Sequence, residues 1–407
     1  MTTIIRAEAA HDFLALVPAL VGYRPSSSVL CVAFTGNRTG GVLRHDLPVD
    51  PEGSEAIVSA VVGTMCRLAA VDAVVPIVYT DGRFDGGAMP HRALLEALVR
   101  RAEDAGFLVR DALCVAADAW GSLLDDELPP GGRSLELVER SEVASGAEAL
   151  GRPVASPTDL VRLPDPDPVL AREIERLLGA LGDRDADAVD RSHGHEPRPD
   201  VLDELERELG DGLDPVVAAE HLARSVDRSP ERLAWLVHLL GRPLFRDAML
   251  LQVAFGAVVG ELALDSAEEA AERARDCGLT LDESMRHELS ASEAESVDGF
   301  LTRLLLGQAT ARPDHERICR ALDTLVIAIA NSPRRHRAGA LCVASWLSWA
   351  LGRGSAAGAL VDLALDGDPE HGMSQILARF YSAGTLPEWA FQPPTAGSPL
   401  EGGISAP

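Results

Sequence analysis

Residues 80–90 read TDGRFDGGAMP. Two carboxylates, Asp81 and Asp85, alternate there with the guanidinium of Arg83 and with glycines, Gly86 among them. Carboxylates at this spacing can accept hydrogen bonds, take up a divalent cation or serve as general bases, and an arginine pairs with anionic oxygens. Glycine lets backbone N–H groups approach whatever sits in such a loop. Other polar groups that chemistry could use are Arg24, Ser26, Ser27 and Ser28, then His45 and Asp46, then Asp118. The stretch LVGYRPSSSVLCVAF, residues 20–34, is not a phosphate-binding P-loop. A P-loop leaves a strand, ends in Gly-Lys-Ser/Thr and opens a helix, whereas this loop leaves a helix, has no lysine and enters a strand. Gly22 and Pro25 turn the chain, and the serines can bond the backbone of the turn.

These groups matter only if the fold brings them together. Residues 11–21 have a helical pattern closed by Gly22, and 28–35 is an apolar strand. TGNRTGG, residues 35–41, then turns the chain into an alternating strand over 42–47, so the two strands form a hairpin. A helix with apolar residues at Ile57, Val58, Val61, Val62, Met65 and Cys66 runs from Ser54, as its cap, to about residue 70. The continuous apolar run 73–79 fits a strand covered on both faces. Pro90 suits the first turn of a helix whose buried side carries Leu94, Leu95, Leu98, Val99 and Ala102, and 107–117 is a further strand. Strand–helix–strand–helix–strand predicts an α/β fold, mainly a parallel sheet with an antiparallel N-terminal hairpin. A hairpin reverses direction and a helical crossover preserves it. The start of the first strand therefore lies at the same sheet edge as the ends of the next three, the edge at which open α/β sheets bind ligands. Residues 24–28, 45–47, 81–87 and 118–122 should gather there.

The α/β part is expected over 1–165, followed by a helix (168–182) and a polar linker through residue 200. An all-α domain follows over 201–390, with helices at about 200–210, 214–226, 229–241, 243–263, 315–330, 334–351, 355–366 and 370–383. The polar stretch 264–298 is expected to be helical and exposed, and the tail 391–407 frayed. Within 338–383, Gly352, Ala357, Ala364 and Pro369 have the spacing of small-residue positions in a tetratricopeptide repeat; an ordinary helical hairpin gives the same pattern.

Composition narrows the function classes. The 407 residues are 46% hydrophobic but only 4% aromatic, so the core must rest on Ala, Leu and Val. A formal charge of −26 repels phosphate backbones and anionic bilayers, which disfavours nucleic-acid and membrane partners. The six cysteines include no C-x-x-C pair, and most lie in apolar segments as small buried thiols, which suits a reducing cytoplasm. No secretory signal is evident, because His11 and Asp12 interrupt the N-terminal stretch. The longest apolar run, 248–260, is too short to span a bilayer.

LVGYRPSSSVLCVAF with LRHDLP, VVPIVYTD, RDAMLLQVAFG and the tryptophan-containing end with ALDGDP together resemble domain of unknown function 4192, an actinobacterial family, over roughly residues 10–390. The resemblance implies this organisation and brings no activity. Many family members carry adjacent cysteines before a Pro–Gly stretch shortly after a W-x-S element. Here Trp120 and Ser122 match, but LLDDELPPGG follows without cysteine, so no metal is expected there.

Weaker signals remain. HGHE at 193–196 has metal-ligand types but lies in a polar linker. SPRRHRAG at 332–339 puts Arg334, Arg335 and Arg337 at a helix start, where positive charge is disfavoured. His238 fits a core or helix-surface position. No G-x-S-x-G, H-E-x-x-H or G-x-G-x-x-G occurs, and the sequence leaves any cofactor unidentified. Two readings stay open. One is a binding protein that takes a small ligand or protein partner at the sheet edge, with a helical interaction scaffold. The other is a hydrolytic or phosphoryl-handling enzyme that uses Asp46, Asp81, Asp85 and Asp118, with or without a divalent cation.

Overall fold

The computed structural model describes residues 7–68, 70–84, 88–143, 153–189, 201–277 and 296–392. The chain divides into two compact units, Met1–Leu160 with Ala390–Pro407, and Val161–Trp389. Asp85, Gly86, the HGHE stretch and the segment 278–295 lie outside the described residues. Among the described residues, no helix is long and apolar enough to cross a membrane.

The first unit contains α1 (Ala10–Val21), β1 (Ser28–Thr35), β2 (Arg38–Asp46), α2 (Pro51–Arg67), β3 (Ala73–Tyr79), α3 (Arg92–Asp104), β4 (Leu108–Val109), β5 (Leu113–Val115), β6 (Trp120–Ser122) and the single turn α4 (Glu136–Glu139). Its sheet has the order β2-β1-β3-β5-β6, with β4 also beside β3. Side chains of β1 alternate between two cores. Val29, Cys31 and Ala33 pack with α2 and α3 through Val61, Met65, Leu95 and Leu98. Leu30, Val32 and Phe34 pack with α1 through Phe13, Leu14, Leu16 and Val17. An uninterrupted apolar sequence is what a strand between two helical layers requires.

The sheet is mixed. β1 pairs antiparallel with both β2 and β3, whereas β4 and β5 run parallel to β3 and β6 runs antiparallel to β5. The hairpin places β1 between β2 and β3, so the crossover through α2 skips one strand.

The strand expected over 107–117 is split at Arg110–Ala112, and Pro76 accounts for the split. Even-numbered positions of β3 face this neighbour: the Asp72 carbonyl accepts from Leu108 N–H at 3.0 Å, Val74 accepts from Arg110 at 3.1 Å, and Thr80 N–H donates to Val115 at 3.0 Å. Pro76 belongs to that set and has no N–H to donate. The neighbour departs opposite it, and Asp111 in the gap accepts from Ala112 N–H at 2.7 Å and Ser122 Oγ–H at 2.5 Å. Burial pushes the Asp111 carboxyl above its ordinary range. The expected cap of α2 also moves. Asp50 caps it, accepting from Gly53 N–H at 2.6 Å, Pro51 opens the first turn, and Ser54, expected as the cap, lies within the helix.

The second unit is helical: α5 (Pro168–Val189), α6 (Val201–Leu209), α7 (Pro215–Arg224), α8 (Pro230–Leu240), α9 (Pro243–Phe255), α10 (Ala257–Cys277), α11 (Val297–Leu305), α12 (His315–Asn331), α13 (Arg337–Ala350), α14 (Gly354–Gly367) and α15 (Gly372–Ser382). Residues 183–189, expected as linker, continue α5, since that stretch has neither Gly nor Pro to end a helix. The single helix expected over 243–263 is broken by Gly256 at φ 97°, and α10 then carries the helix into the stretch expected to be exposed.

Few aromatics suffice because they are concentrated. Phe255, Trp346, Trp349 and Trp389 have ring centroids 5.7–6.4 Å apart. Each buried indole N–H reaches a carbonyl: Trp346 donates to Leu305, Trp349 to Thr385 and Trp389 to Ala350, at 2.8–3.1 Å. Helices α8 and α13 come so close that a Cβ at Gly339 would collide with the Leu240 carbonyl oxygen.

Polar groups stitch the remaining helices. Arg317 of α12 donates from both terminal nitrogens to the two Glu220 oxygens of α7 at 2.8 Å, and to the Val253 and Gln252 carbonyls of α9. This fork holds the Glu220 carboxyl down at about 2. Arg337, at the start of α13 where positive charge is disfavoured, donates to the Ser332 and Ala330 carbonyls at the end of α12 at 2.8 and 3.1 Å. It serves the negative end of the helix before it. Arg335 lies 3.7 Å from Glu175.

Because the folded-state pKa of Glu220 is below its unfolded value of about 4.5, its contribution is complete above that pH and fades as pH falls toward 2. Glu220→Gln should therefore cost about 1–3 kcal/mol in urea unfolding at pH 7 and make stability fall less steeply than wild type below about pH 5. Gly339→Ala should cost about 1–3 kcal/mol in the same measurement, since neither backbone can yield without shifting a helix.

Candidate functional site

The register settles which strand ends share an edge. Ser28, first in β1, pairs with Asp46 at the end of β2 and with Tyr79 at the end of β3, and Tyr79 pairs with Val115 at the end of β5. The loops at 24–27, 47, 80–84 and 116–119 therefore leave the sheet on one side.

Hydrogen bonds tie these loops together. Ser27, in the left-handed region at φ 39°, donates from its hydroxyl to Asp81 at 3.2 Å, and its carbonyl accepts from Leu47 N–H at 3.0 Å. Ala117 N–H donates to the Gly82 carbonyl at 2.9 Å. Asp118 accepts from Phe84 N–H at 3.2 Å with one oxygen, and its other oxygen lies 3.5 Å from Arg83 Nε. Thr80 Oγ1 accepts from Gly82 N–H at 3.1 Å and lies 3.3 Å from His91 Nε2. On the far side, Arg24 N–H donates to the Val154 carbonyl at 2.9 Å.

Asp81 thus meets Ser27, and Arg83 meets Asp118, as the edge requires. Asp46 and His45 diverge from one another. Asp46, 84% exposed, lies 2.5 Å from Arg44. His45 pairs with Val29 and so belongs to the α2–α3 side of the sheet, where burial, with Arg44 adding to it, lowers its imidazole pKa. Ser26 and Ser27 are exposed, but Ser28 is fully buried and its hydroxyl has no hydrogen-bond partner among the described residues. Arg24 is exposed and makes no ion pair among the described residues.

Two members of this edge were not anticipated. Thr80 orders the turn through its hydroxyl. His91 stands before α3, which begins at Arg92 instead of in the Pro90 turn, and it takes a left-handed conformation at φ 52°. Burial lowers its imidazole pKa. The visible signal was a histidine directly after Pro90 at a strand-to-helix turn. Of the three non-glycine residues with positive φ among those described, Ser27 and His91 are both here.

Elsewhere in the second unit, His221 and Asp227 line a water-sized cavity of about 30 Å³, and Ser225 contacts the His221 imidazole. Asp227 and Ser225 both contact the same imidazole nitrogen, Nε2, at 2.8 and 3.1 Å. A relay needs one partner on each nitrogen, so this is no catalytic triad. His238 stacks on Trp235 with centroids 5.2 Å apart. Among the described residues, no group of three or more His, Cys, Asp or Glu is placed to hold a metal ion.

No curated protein matches the chain, and no solved structure does. One family, described as Domain of unknown function (DUF4192), matches residues 11–275 and again 256–388, spanning both the sheet edge and the tryptophan-rich helical end. The chain belongs to that family.

Proposed function

We propose that this is a binding protein whose first unit takes a small ligand or a partner's polar segment at the carboxyl edge of the sheet. The second unit acts as an interaction scaffold, with α13–α15 as its tetratricopeptide-like element. The observation that carries the reading is the register, which sets the start of β1 beside the ends of β2, β3 and β5. Ligands of open α/β sheets sit at such an edge. Two left-handed non-glycine residues at the same edge support it, since strain of that kind concentrates where binding or chemistry occurs. Arg24, Ser26 and Ser27 form one wall, and Asp81 with Arg83 the centre. A reducing cytoplasm is the compartment that suits the buried thiols of Cys31, Cys114 and Cys342.

The carboxylate enzyme is the weaker reading. It needs carboxylates free to share a cation or a water, yet Asp118 caps Phe84 and faces Arg83, Asp81 receives Ser27, and Asp46 faces Arg44. These contacts hold loops in place.

A thermal-shift panel of inorganic phosphate, small carboxylates, nucleotides and divalent cations tests the binding reading. At least one compound should raise the Tm by several degrees when present at about 100 times its Kd. The shift should disappear in Arg24→Ala or Asp81→Ala. No shift from any compound, or one unaltered in both variants, would sink it. Asp118→Ala should speed amide exchange at Phe84 and weaken any ligand that shifts the wild type. It should not create a metal-dependent activity.

A further inference from the structure

The helix α15 is capped by an imidazole. His371 precedes it, and its Nδ1 accepts from Ser374 N–H at 3.3 Å. An atom that accepts a backbone N–H carries no proton, so the neutral ring holds its hydrogen on Nε2. Ser374 Oγ, fully buried, lies 2.8 Å from the same Nδ1 and must donate to it. The buried Cys342 Sγ of α13 lies 3.2 Å from that hydroxyl and 3.7 Å from Nδ1; with the Ser374 O–H committed to Nδ1, the thiol is the group left to donate to Oγ. Thiol, hydroxyl and imidazole thus form one chain that joins α13 to the first turn of α15.

We propose that His371 is an acid-sensitive latch: neutral, it caps α15 and locks it to α13 through Ser374 and Cys342; protonated, it releases the start of α15. A protonated Nδ1 has no lone pair for the Ser374 N–H. It also puts a positive charge at the positive end of a helix. The charged groups that act on the ring are Arg246 of α9, which opposes protonation, and Asp368 of the preceding turn, which favours it. Burial is the largest influence and lowers the imidazole pKa. Since the unfolded chain then binds the proton more readily than the folded one, stability is complete above about pH 6.5 and falls as pH drops below it. RDAMLLQVAFG and ALDGDP, far apart in sequence, both act on this ring, the first through Arg246 and the second through Asp368.

Amide hydrogen exchange of the full chain between about pH 7.5 and 5, corrected for intrinsic rates and referred to α12, tests the latch. In the wild type, protection of the first turns of α15 should fall about tenfold more than that of α12. His371→Asn, which caps without titrating, should keep protection at both pH values, and His371→Ala should lack it at both. Site-resolved labelling by 4,4′-dithiodipyridine should show Cys342 gaining reactivity at the lower pH in wild type but not in His371→Asn. If His371→Ala does not fold, the comparison of wild type with His371→Asn still decides. Constant α15 protection in the wild type, or an equal loss in His371→Asn, would overturn the proposal.

Discussion

The first unit rests on a strand that has water on neither face. β1 is apolar at successive positions, so it must lie between two helical layers, and its backbone groups must then be satisfied within the sheet. β2 on one side and β3 on the other supply that pairing. Once β1 is central and both neighbours oppose it, the ends of β2, β3 and β5 have to emerge where β1 begins. The candidate edge is thus a consequence of burying residues 28–34, and the loops there are carried by a frame that binding need not stabilise.

The second unit solves a different problem. With so little aromatic surface in the chain, its helices come close through small residues and then need their polar atoms accounted for. Gly339 permits the approach of α13 to α8. The indole N–H groups end on helix-terminal and loop carbonyls, and Arg317 takes up a carboxylate and two carbonyls at once. Arginine is suited to such positions because its rigid fork serves several acceptors in one geometry.

Much of this was legible in the sequence because it is local. The existence of the first hairpin, the five buried positions of α3 and the strand at 73–79 follow from local pattern, although β2 begins at Arg38 and the expected turn over 35–41 shrinks to Gly36–Asn37; strand direction follows from hairpin and crossover rules. The gathering of the four loops at one edge was expected; what escaped is which individual residues, far apart in sequence, bond to each other there. Ser27 meets Asp81 across 54 positions, and Phe84 meets Asp118 across 34. The break at Gly256 escaped because a glycine within an apolar helical run is compatible with continuation. β6 is three residues long, too short for alternation to register. Arg337 broke the rule for helix starts only while α13 was considered alone; the carbonyls it serves belong to α12.

Pro76 reaches further than its own strand. Because it offers no hydrogen toward β5, the neighbouring chain spends three residues, Arg110–Ala112, where β3 spends Val75 and Pro76. That extra residue re-phases β5 against β3 and frees Asp111 to bond sideways to Ser122 in β6. The position of β6 in turn fixes the Ala116–Ala119 turn, closed by its own 2.8 Å hydrogen bond, and with it the height at which Asp118 stands over the edge. A single imino acid in the third strand thus acts as a spacer for the loop across the sheet. Replacing it would change the geometry of the edge without touching any residue that lines it.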